Sequence, residues 1–289
     1  MGSDKLAKLD LGDYELVGYS VAGEETVVAV PNLNVCFDIG KAPDSLLNID
    51  NVLITHSHMD HIANLAYYCS QRSFREMAPG RIFMPRRLAP FLDELLDFWG
   101  RFDGSRPPAE IIPISEGQEY EMRRNLFARA FKTSHTRDSL GYTIIEHRKK
   151  LKKEFFDLPG QEIARLRREG TEVTNTTQVP LVTYLGDTMS GDFEKLDFVC
   201  NSKILITECT FFDADHQDRA TAGRHYYFND LARWLETVNC EHIILTHLSR
   251  RTHIGQAKKR VRKLLPPEIA QKVHFLMDLH YRNPEDRGH

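Results

Sequence analysis

The stretch THSHMDH, residues 55–61, constrains most strongly what this chain can fold into. It follows the apolar run NVLI and precedes the apolar segment IANLAYY, which indicates a turn between a buried strand and a helix. His56 and His58 are two residues apart, and on an extended backbone such side chains point the same way. Asp60 and His61 fall where the helix begins and face a neighbouring point. Because imidazole suits zinc and a carboxylate can bridge two ions, the stretch predicts part of a site for two cations.

Further metal-competent side chains stand at the carboxyl ends of other apolar strands. Loops at strand ends hold ligands with little movement because the sheet beneath them is rigid. THSHMDH alone cannot fill two coordination spheres, so distant residues must complete them. Asp187 is the natural bridge, since a carboxylate between two cations is well placed to bind both. The four side chains are His135 in KTSH, Asp187 in TYLGD, Glu208 in ITEC and His247 in ILTH.

The order of predicted elements indicates an α/β protein. Residues 1–40 contain three short β-rich runs, and strands then alternate with helices, twice over. Two mixed β-sheets packed together, with helices on the outer faces, satisfy this pattern. No break in composition divides the chain, so we expect a single domain over residues 1–289. The later predicted strands are NVLITH, RIFMP, EIIPI, LFARAFKTSH, SLGYTIIEH, VPLVTYLGD, KILITEC, HIILTH and KVHFLMD.

Composition excludes several classes of protein. The chain has 289 residues, of which 41% are hydrophobic, and this suits a globular protein with a sizeable core. Its net charge of −3 excludes a protein that is basic overall, so recognition of nucleic acid must be local. The five cysteines are scattered without a CxxC pair, which indicates a reducing compartment. With no signal segment and no run near the ~18 apolar residues of a membrane span, we expect a cytoplasmic protein and no membrane partner.

The segment from about residue 147 to 175 differs from its surroundings. It is strongly basic and contains a Pro-Gly break. Two interpretations are open: a solvated charge run, or a loop whose cations form a local footprint for phosphates. The cations are Arg148, Lys149, Lys150, Lys152 and Lys153.

Several motifs together resemble a known family. HSHMDH is similar to the HxHxDH signature of the metallo-β-lactamase superfamily. LGDT, TECTF, AGRHYY, THLSRRT and SHTRDSLGY resemble motifs of ribonuclease Z, the endonuclease family that trims tRNA 3′ ends. The similarity extends from about residue 14 to 276 and is greatest to the short, plant-like form. It implies an αββα sandwich, the metallo-β-lactamase fold.

The resemblance also implies a set of metal ligands. One zinc ion would be held by two histidines of the opening stretch together with a distant histidine and an aspartate. The second would share that aspartate. The implied first set is His56, His58, His135 and Asp187, and the implied second set is Asp60, His61, Asp187 and His247.

Catalytic roles follow from the same resemblance. Asp60 would orient the attacking water. Glu208 and His225 would form the pair that protonates the leaving 3′-oxygen, because a carboxylate raises the pKa of a histidine it holds. Ser249 and Arg251 of THLSRRT would contact a phosphate oxygen. Two motifs differ from the family: HYY stands where His-Ser-Thr is usual, and TECT stands where His-Glu-Ala-Thr is usual.

The resemblance therefore implies a zinc-dependent endoribonuclease that cleaves precursor tRNA by attack of a metal-bound water and leaves a 3′-hydroxyl. It also implies two zinc ions per chain, with manganese or iron also compatible with these ligands, and a homodimer. The basic segment lies where this family inserts a tRNA-binding arm, here shortened, and this favours RNA contacts by Lys149, Lys150, Lys152 and Lys153. One alternative is a dinuclear-metal phosphodiesterase acting on small phosphodiesters or another RNA. The other is a non-catalytic RNA-binding protein that retains zinc for stability.

Overall fold

The structure, a computed structural model, describes residues 6–278. Within this range two seven-stranded mixed β-sheets share one hydrophobic core and are flanked by helices. The first sheet has the strand order β1-β2-β3-β4-β5-β6-β7 and the second the order β14-β13-β12-β11-β10-β9-β8. The expected αββα sandwich is confirmed. Among the described residues, no helix combines the length and the apolar composition needed to cross a bilayer.

The first sheet begins as an antiparallel meander and continues with parallel strands. β1 to β4 pair antiparallel, whereas β4 to β7 pair parallel. The parallel strands are linked by helices, as the alternating pattern of the sequence predicts. The strands are β1 (Ala7–Asp10), β2 (Glu15–Val21), β3 (Glu25–Val30), β4 (Val35–Phe37), β5 (Asn51–Leu53), β6 (Gly80–Pro85) and β7 (Ala109–Ile114).

The second sheet repeats this plan. β8 to β11 pair antiparallel, and β11 to β14 pair parallel. Its interior parallel strands β12 and β13 are mostly apolar and buried because both of their faces are covered. The strands are β8 (Glu119–Arg123), β9 (Leu126–Lys132), β10 (Leu140–Leu151), β11 (Thr174–Tyr184), β12 (Ile204–Glu208), β13 (His242–Thr246) and β14 (Val273–Phe275).

The helices connect parallel strands or cover the sheets. In α7, Leu231 and Trp234 are buried and pack in the core. The helices are α1 (Met59–Ile62), α2 (Leu65–Phe74), α3 (Ala89–Asp103), α4 (Gly160–Arg168), α5 (Asp197–Cys200), α6 (Gln217–Gly223), α7 (Phe228–Leu235), α8 (Ile254–Leu264) and α9 (Pro267–Ala270).

A long hairpin projects from the second sheet at the basic segment. β10 pairs with β9 only over Leu140–Glu146, whereas its last residues pair with β11 alone. The part that pairs with β11 alone, residues 148–151, extends about 14 Å at 3.4 Å per residue. Helix α4 follows between the two strands and buries none of its residues. We call this projection, residues 147–174, the basic arm. The expectation of a loop was wrong for its first part, because Arg148, Lys149 and Lys150 are strand residues that pair with β11.

Candidate metal centre

The seven predicted metal ligands come together at one edge of the sandwich. Parallel strands end at this edge in both sheets, so the loops that follow them meet there. The first sheet supplies the residues that follow β5, and the second sheet supplies those that follow β9, β11 and β13. The seven are His56, His58, Asp60 and His61 from the first sheet and His135, Asp187 and His247 from the second.

The carboxylate of Asp187 lies at the centre of this cluster. Its Oδ2 atom is 3.4 Å from Nε2 of His61 and 3.4 Å from Nε2 of His247. The same oxygen is 3.8 Å from Nε2 of His56 and of His135. Two ligand atoms at 2.0–2.2 Å from a tetrahedral zinc ion lie about 3.4 Å apart. The spacing therefore fits a carboxylate oxygen shared between cations.

The side chains divide into two groups around this oxygen. The ligand atoms of His56, His58, His135 and Asp187 lie within 4.8 Å of one another, and so do those of Asp60, His61 and His247. In the second group, Oδ2 of Asp60 is 3.5 Å from Nε2 of His247 and 3.8 Å from Nε2 of His61. The division matches the two implied ligand sets, with Asp187 close to both.

The imidazole rings present nitrogens toward the space between these groups. Nε2 of His56, His61 and His247 is buried and, among the described residues, has no hydrogen-bond partner. A buried nitrogen left without a partner is costly, so three together need an explanation. His58 has the opposite orientation, with Nδ1 lying 3.1 Å from Nε2 of His135. The donor set and its unpartnered nitrogens therefore fit bound divalent cations.

Asp38, which the sequence analysis did not select, fixes two of these rings. Its Oδ2 accepts a hydrogen bond from Nδ1 of His61 at 2.8 Å. Its Oδ1 accepts from the backbone N–H of Thr55 at 2.8 Å and from the Thr55 hydroxyl at 3.0 Å. That hydroxyl lies 2.9 Å from Nδ1 of His56, and Tyr184 donates from the other sheet at 3.0 Å. Asp38 thus orients His61 directly and His56 through Thr55.

Glu208 occupies the corresponding position in the second sheet. Its Oε1 lies 2.7 Å from Nδ1 of His225 and accepts the backbone N–H of Thr188 at 2.9 Å. Its Oε2 accepts the hydroxyl of Thr210 at 2.6 Å. Since that hydroxyl donates to Glu208, it accepts from Nδ1 of His247 at 3.1 Å. Glu208 therefore holds His225 directly and a metal-ligand candidate through one hydroxyl.

Electrostatics at the cluster also favour cations. Burial holds the pKa of His56 well below 6.5, aided by the neighbouring His61. Burial opposes a charge on His61 too, but the carboxylates of Asp187 and Asp38 outweigh it and hold the pKa of His61 well above 6.5. Although burial raises the pKa of Asp187, His247 and His61 bring it well below 3.8. Buried carboxylates that stay ionised require compensating positive charge.

His225 lies beside the cluster, and its ring centre is 4.9 Å from that of His135. Asp187, His225 and His247 also form a third group of potential ligands within 4.8 Å. Burial lowers the pKa of His225, but Glu208 outweighs it and raises the pKa to about 9. A protonated imidazole is a poor ligand and a good proton donor. The Glu208 contact therefore favours an acid over a ligand at this position.

The departure of HYY from the family motif leaves the contact between His225 and Glu208 intact. Tyr226 is buried and donates its hydroxyl to Glu194. The hydroxyl of Tyr227 accepts from Nη2 of Arg260 at 2.6 Å. Both tyrosine hydroxyls thus make their hydrogen bonds outside the cluster of seven ligand candidates, which we call the ion cluster.

The phosphate candidates Ser249 and Arg251 lie in the loop that follows His247. Oγ of Ser249 accepts the backbone N–H of Arg251 at 3.3 Å, so the serine hydroxyl can still donate its own proton. Arg251 is exposed. Its neighbour Arg250 is held elsewhere, with Nε 2.7 Å from Oε1 of Glu24.

The basic arm lies away from the ion cluster. Arg148 and Lys152 are paired with acids, at 2.6 Å to Glu146 and 3.8 Å to Glu172. Within residues 6–278, Lys149, Lys150 and Lys153 make no ion pair. A cleft of about 1150 Å³ opens at the arm, and it includes three arginines that the sequence analysis did not select: Arg123, Arg124 and Arg167.

Two further features shape the centre. Arg224 orients His135, because its carbonyl oxygen lies 3.2 Å from Nδ1 and its guanidinium donates to the carbonyl of His135 at 3.1 Å. Gly40 lies against the helix start, where a Cβ atom would come within 1.8 Å of the carbonyl oxygen of Asp60. No side chain fits there. The sequence shows Gly40 only as the end of CFDIG, and it gives no sign of the role of Arg224.

Comparison with known proteins identifies the family of this chain. The profile described as a beta-lactamase superfamily domain matches residues 29–248. The chloroplastic tRNase Z of Arabidopsis thaliana is 34% identical over 269 residues, covering 92% of this chain and 75% of the relative. A second tRNase Z of Arabidopsis thaliana is 32% identical over 277 residues, covering 94% and 98%.

A solved structure supports the fold alone. The metallo-beta-lactamase fold protein YhfI from Bacillus subtilis is 17% identical, with a TM-score of 0.57, and the match covers 91% of this chain and 87% of that one. Its identity is too low to carry an argument about activity. The two plant relatives match at higher identity over most of their own lengths, and the chain therefore belongs to the ribonuclease Z family of the β-lactamase superfamily.

Proposed function

We propose that this protein is a metal-dependent endoribonuclease that cleaves precursor tRNA at the 3′ end of the mature tRNA. One observation carries the proposal: Oδ2 of Asp187 lies 3.4–3.8 Å from the Nε2 atoms of four histidines drawn from both sheets. The relatives named tRNase Z supply the substrate class.

Two zinc ions per chain complete the proposal, with manganese and iron also compatible with imidazole and carboxylate ligands. Such cations supply Lewis acidity, lower the pKa of a water and offset the charge of the phosphodiester. We assign His56, His58, His135 and Asp187 to one ion and Asp60, His61, Asp187 and His247 to the other, following the two groups of side chains.

Asp60 and His225 act on the attacking water and on the leaving oxygen. Asp60 accepts a hydrogen bond from the attacking water and orients it, and the proton of that water passes to solvent as its oxygen forms the new bond to phosphorus. Its Oδ2 is fixed for this role by the backbone N–H of Gly23 at 3.1 Å. His225, held by Glu208, donates a proton to O3′ as the P–O3′ bond breaks. The products are a mature tRNA with a 3′-hydroxyl and a trailer with a 5′-phosphate.

Ser249 and Arg251 contact the non-bridging oxygens in this proposal. A serine hydroxyl and a planar guanidinium both suit a phosphate, and the loop places them next to His247.

The basic arm would bind the body of the tRNA through Lys149, Lys150, Lys152 and Lys153. Three of these lysines have no acidic partner among the described residues, and the adjoining cleft adds Arg123, Arg124 and Arg167. Cations without internal partners are free to replace the counterions of RNA.

A homodimer is the proposed assembly, and an exposed apolar stripe supports it. Helix α3 buries Leu92 and Leu96 on one side, and the side next to it is also apolar but exposed. Helices that are apolar on two sides normally bury both. The stripe consists of Phe91, Leu95, Phe98, Trp99 and Phe102, which are 40–72% exposed.

Light scattering should show a dimer for the wild type and a monomer for Phe102→Asp. Phe156→Asp, at another exposed phenylalanine, should remain dimeric; a monomeric wild type contradicts the assembly.

A cytoplasmic location also belongs to the proposal. The five cysteines all lie within the described residues, and none of them forms a disulfide. A relative is named as chloroplastic, so imaging of a fluorescent fusion decides the compartment.

Cleavage of a precursor tRNA tests the activity directly. The zinc-loaded protein should cut a precursor once, directly after the discriminator nucleotide, and Asp60→Ala should abolish the cut.

Variants of the basic arm distinguish precursor tRNA from small phosphodiesters as the substrate. Charge reversal of Lys149, Lys150, Lys152 and Lys153 should lower precursor cleavage far more than turnover of bis(p-nitrophenyl) phosphate. A protein that hydrolyses only the small ester would instead be a phosphodiesterase of small substrates.

A further inference from the structure

A second basic pocket lies close to the metal centre, on the side away from Ser249 and Arg251. It has a volume of about 200 Å³ and is formed by the residues that follow β6 and β7 and by the loop that follows His135. Nothing in the sequence analysis selected it. We call it the Arg137 pocket. Its charged residues are Arg86, Arg87, Lys132, Arg137, Glu116 and Asp138.

The pocket opens at the same edge of the sandwich as the ion cluster. β6, which leads to Arg86 and Arg87, is parallel to β5, which leads to His56. Arg137 is two residues beyond His135, and two residues span at most about 7 Å. The loop itself is tied to the centre, because the backbone N–H of Leu140 donates to the carbonyl of Thr55 at 3.0 Å.

The positive charge in this pocket is only partly offset. Nε of Arg87 lies 3.7 Å from Oδ1 of Asp138, and both side chains reach solvent. Nε of Arg86 donates to the neutral hydroxyl of Ser115 at 3.0 Å. Within residues 6–278, Arg137 makes no ion pair. Four cations thus face two carboxylates, and the excess positive charge faces solvent.

Lys132 stabilises the loop that follows His135. Its ammonium group donates to the carbonyls of Thr136, at 3.5 Å, and Arg137. The loop conformation that presents Arg137 is therefore held by the protein and does not need a ligand to form. The backbone N–H of Arg86 likewise donates to the carbonyl of Ile114 at 2.8 Å, which fixes the start of the arginine pair.

Arginines held at an open edge, with few acids nearby, suit phosphate groups, because the planar guanidinium binds two oxygens at once. The position of His225 indicates which part of the RNA they meet. Glu208, at the end of β12, and Thr210 hold His225, and the ring centres of His135 and His247 lie 4.9 and 5.4 Å from that of His225. In the proposed function the O3′ atom of the mature tRNA lies at His225. The trailer, on the other side of the cleaved bond, leads away from His225, and the Arg137 pocket offers it cations beyond His135.

We propose that the Arg137 pocket binds the backbone phosphates of the 3′ trailer, downstream of the cleaved linkage. This proposal rests on the proposed function. The RNA strand would cross the ion cluster between two basic flanks, with Ser249 and Arg251 on one side and the Arg137 pocket on the other.

The test compares two precursors that differ only in trailer length. A one-nucleotide trailer has no phosphate beyond the cleaved one, whereas a six-nucleotide trailer offers several. In Arg87→Glu/Arg137→Glu, the ratio of kcat/KM for the long to the short trailer should fall about tenfold. Arg75→Glu/Arg233→Glu changes two exposed arginines, one directly after α2 and one on α7, and is the matched control, whose ratio should remain that of the wild type. Misfolding lowers both values together and leaves the ratio unchanged.

A binding measurement keeps the pocket testable without cleavage. A 5′-phosphorylated RNA hexamer should bind the metal-loaded wild type more tightly than Arg87→Glu/Arg137→Glu in fluorescence anisotropy, and the salt dependence should be weaker in the variant. An unchanged trailer ratio together with unchanged hexamer binding would overturn the proposal. A wild type that cuts no precursor refutes the proposed function instead, and the hexamer then decides on the pocket alone.

Discussion

Asp38 and Glu208 are buried carboxylates that hold histidines in the same way, one in each sheet. Each bonds one imidazole directly and a second through a threonine hydroxyl. The difference lies in the imidazole that is held directly. His61 is fully buried and has Nε2 directed at the ion cluster, whereas the side chain of His225 is 17% exposed.

Burial and position, more than the carboxylate–histidine contact itself, therefore decide what such a histidine does. Burial opposes a charge in both cases, and a carboxylate raises the pKa in both cases. His61 has three carboxylates within 3.8 Å and a place for a cation. His225 has one carboxylate and access to solvent, which suits a proton donor.

Asp187→Ala should abolish activity and metal binding together, because this carboxylate serves both halves of the cluster. We expect cleavage to fall by at least about a thousandfold. Mass spectrometry of metal content should show fewer than two ions per chain. Asp192→Ala, at an exposed aspartate paired with Lys195, is the matched control and should keep both metals. Full metal content in Asp187→Ala would show that the two halves bind their ions separately.

His225→Ala should lose catalysis and keep its metals. Removal of a general acid lowers kcat by roughly 10²–10⁴-fold. His216→Ala, at a half-buried histidine outside the cluster, should behave as the wild type. If the metal content of His225→Ala falls instead, the third group of potential ligands is the correct one, and the division between the two carboxylates is wrong.

Asp38→Asn should weaken metal binding about 10–100-fold, as loss of a carboxylate behind a metal-ligand histidine does. The asparagine amide has no negative charge, so it cannot accept the hydrogen bonds of His61 and Thr55 as the carboxylate does. Competition with a chelator measures this affinity. Glu208→Gln is the matched counterpart and should change affinity less, because it reaches His247 only through Thr210. Equal losses of metal affinity in the two variants would contradict the difference between Asp38 and Glu208.

Glu208→Gln should instead change the pH dependence of cleavage. His225 acts while protonated, so activity is lost as pH rises through its pKa, which Glu208 raises to about 9. Without that charge the pKa falls, and the alkaline limb of kcat should move to lower pH by about one unit or more. Asp38→Asn should leave the limb where it is. A profile that is identical in Glu208→Gln and the wild type excludes His225 as the acid.

The sequence located the candidate centre well because its parts follow strands. HSHMDH is a compact motif, and the distant His135, Asp187 and His247 each follow an apolar strand that leads to the same edge. Two mixed sheets were likewise predictable from strand and helix order. Their strands are apolar over several consecutive residues, and periodicity detects this pattern most readily.

The supporting contacts were not predictable in the same way. Asp38 meets His61 across 23 residues and Tyr184 across 146, and a single aspartate after a strand indicates only a turn. The edge strand β1 was missed because it is short and only partly buried. The Arg137 pocket combines residues of three separate loops, so no local pattern marks it.

The division of the ligands between the sheets has a mechanical consequence. Four ligand candidates are attached to one layer and three to the other, so two bound cations would crosslink the layers at the open rim of the sandwich. A chelator should then lower the melting temperature and speed amide exchange at that rim, while the opposite rim exchanges as before. Catalytic competence and rigidity would thus depend on the same two ions.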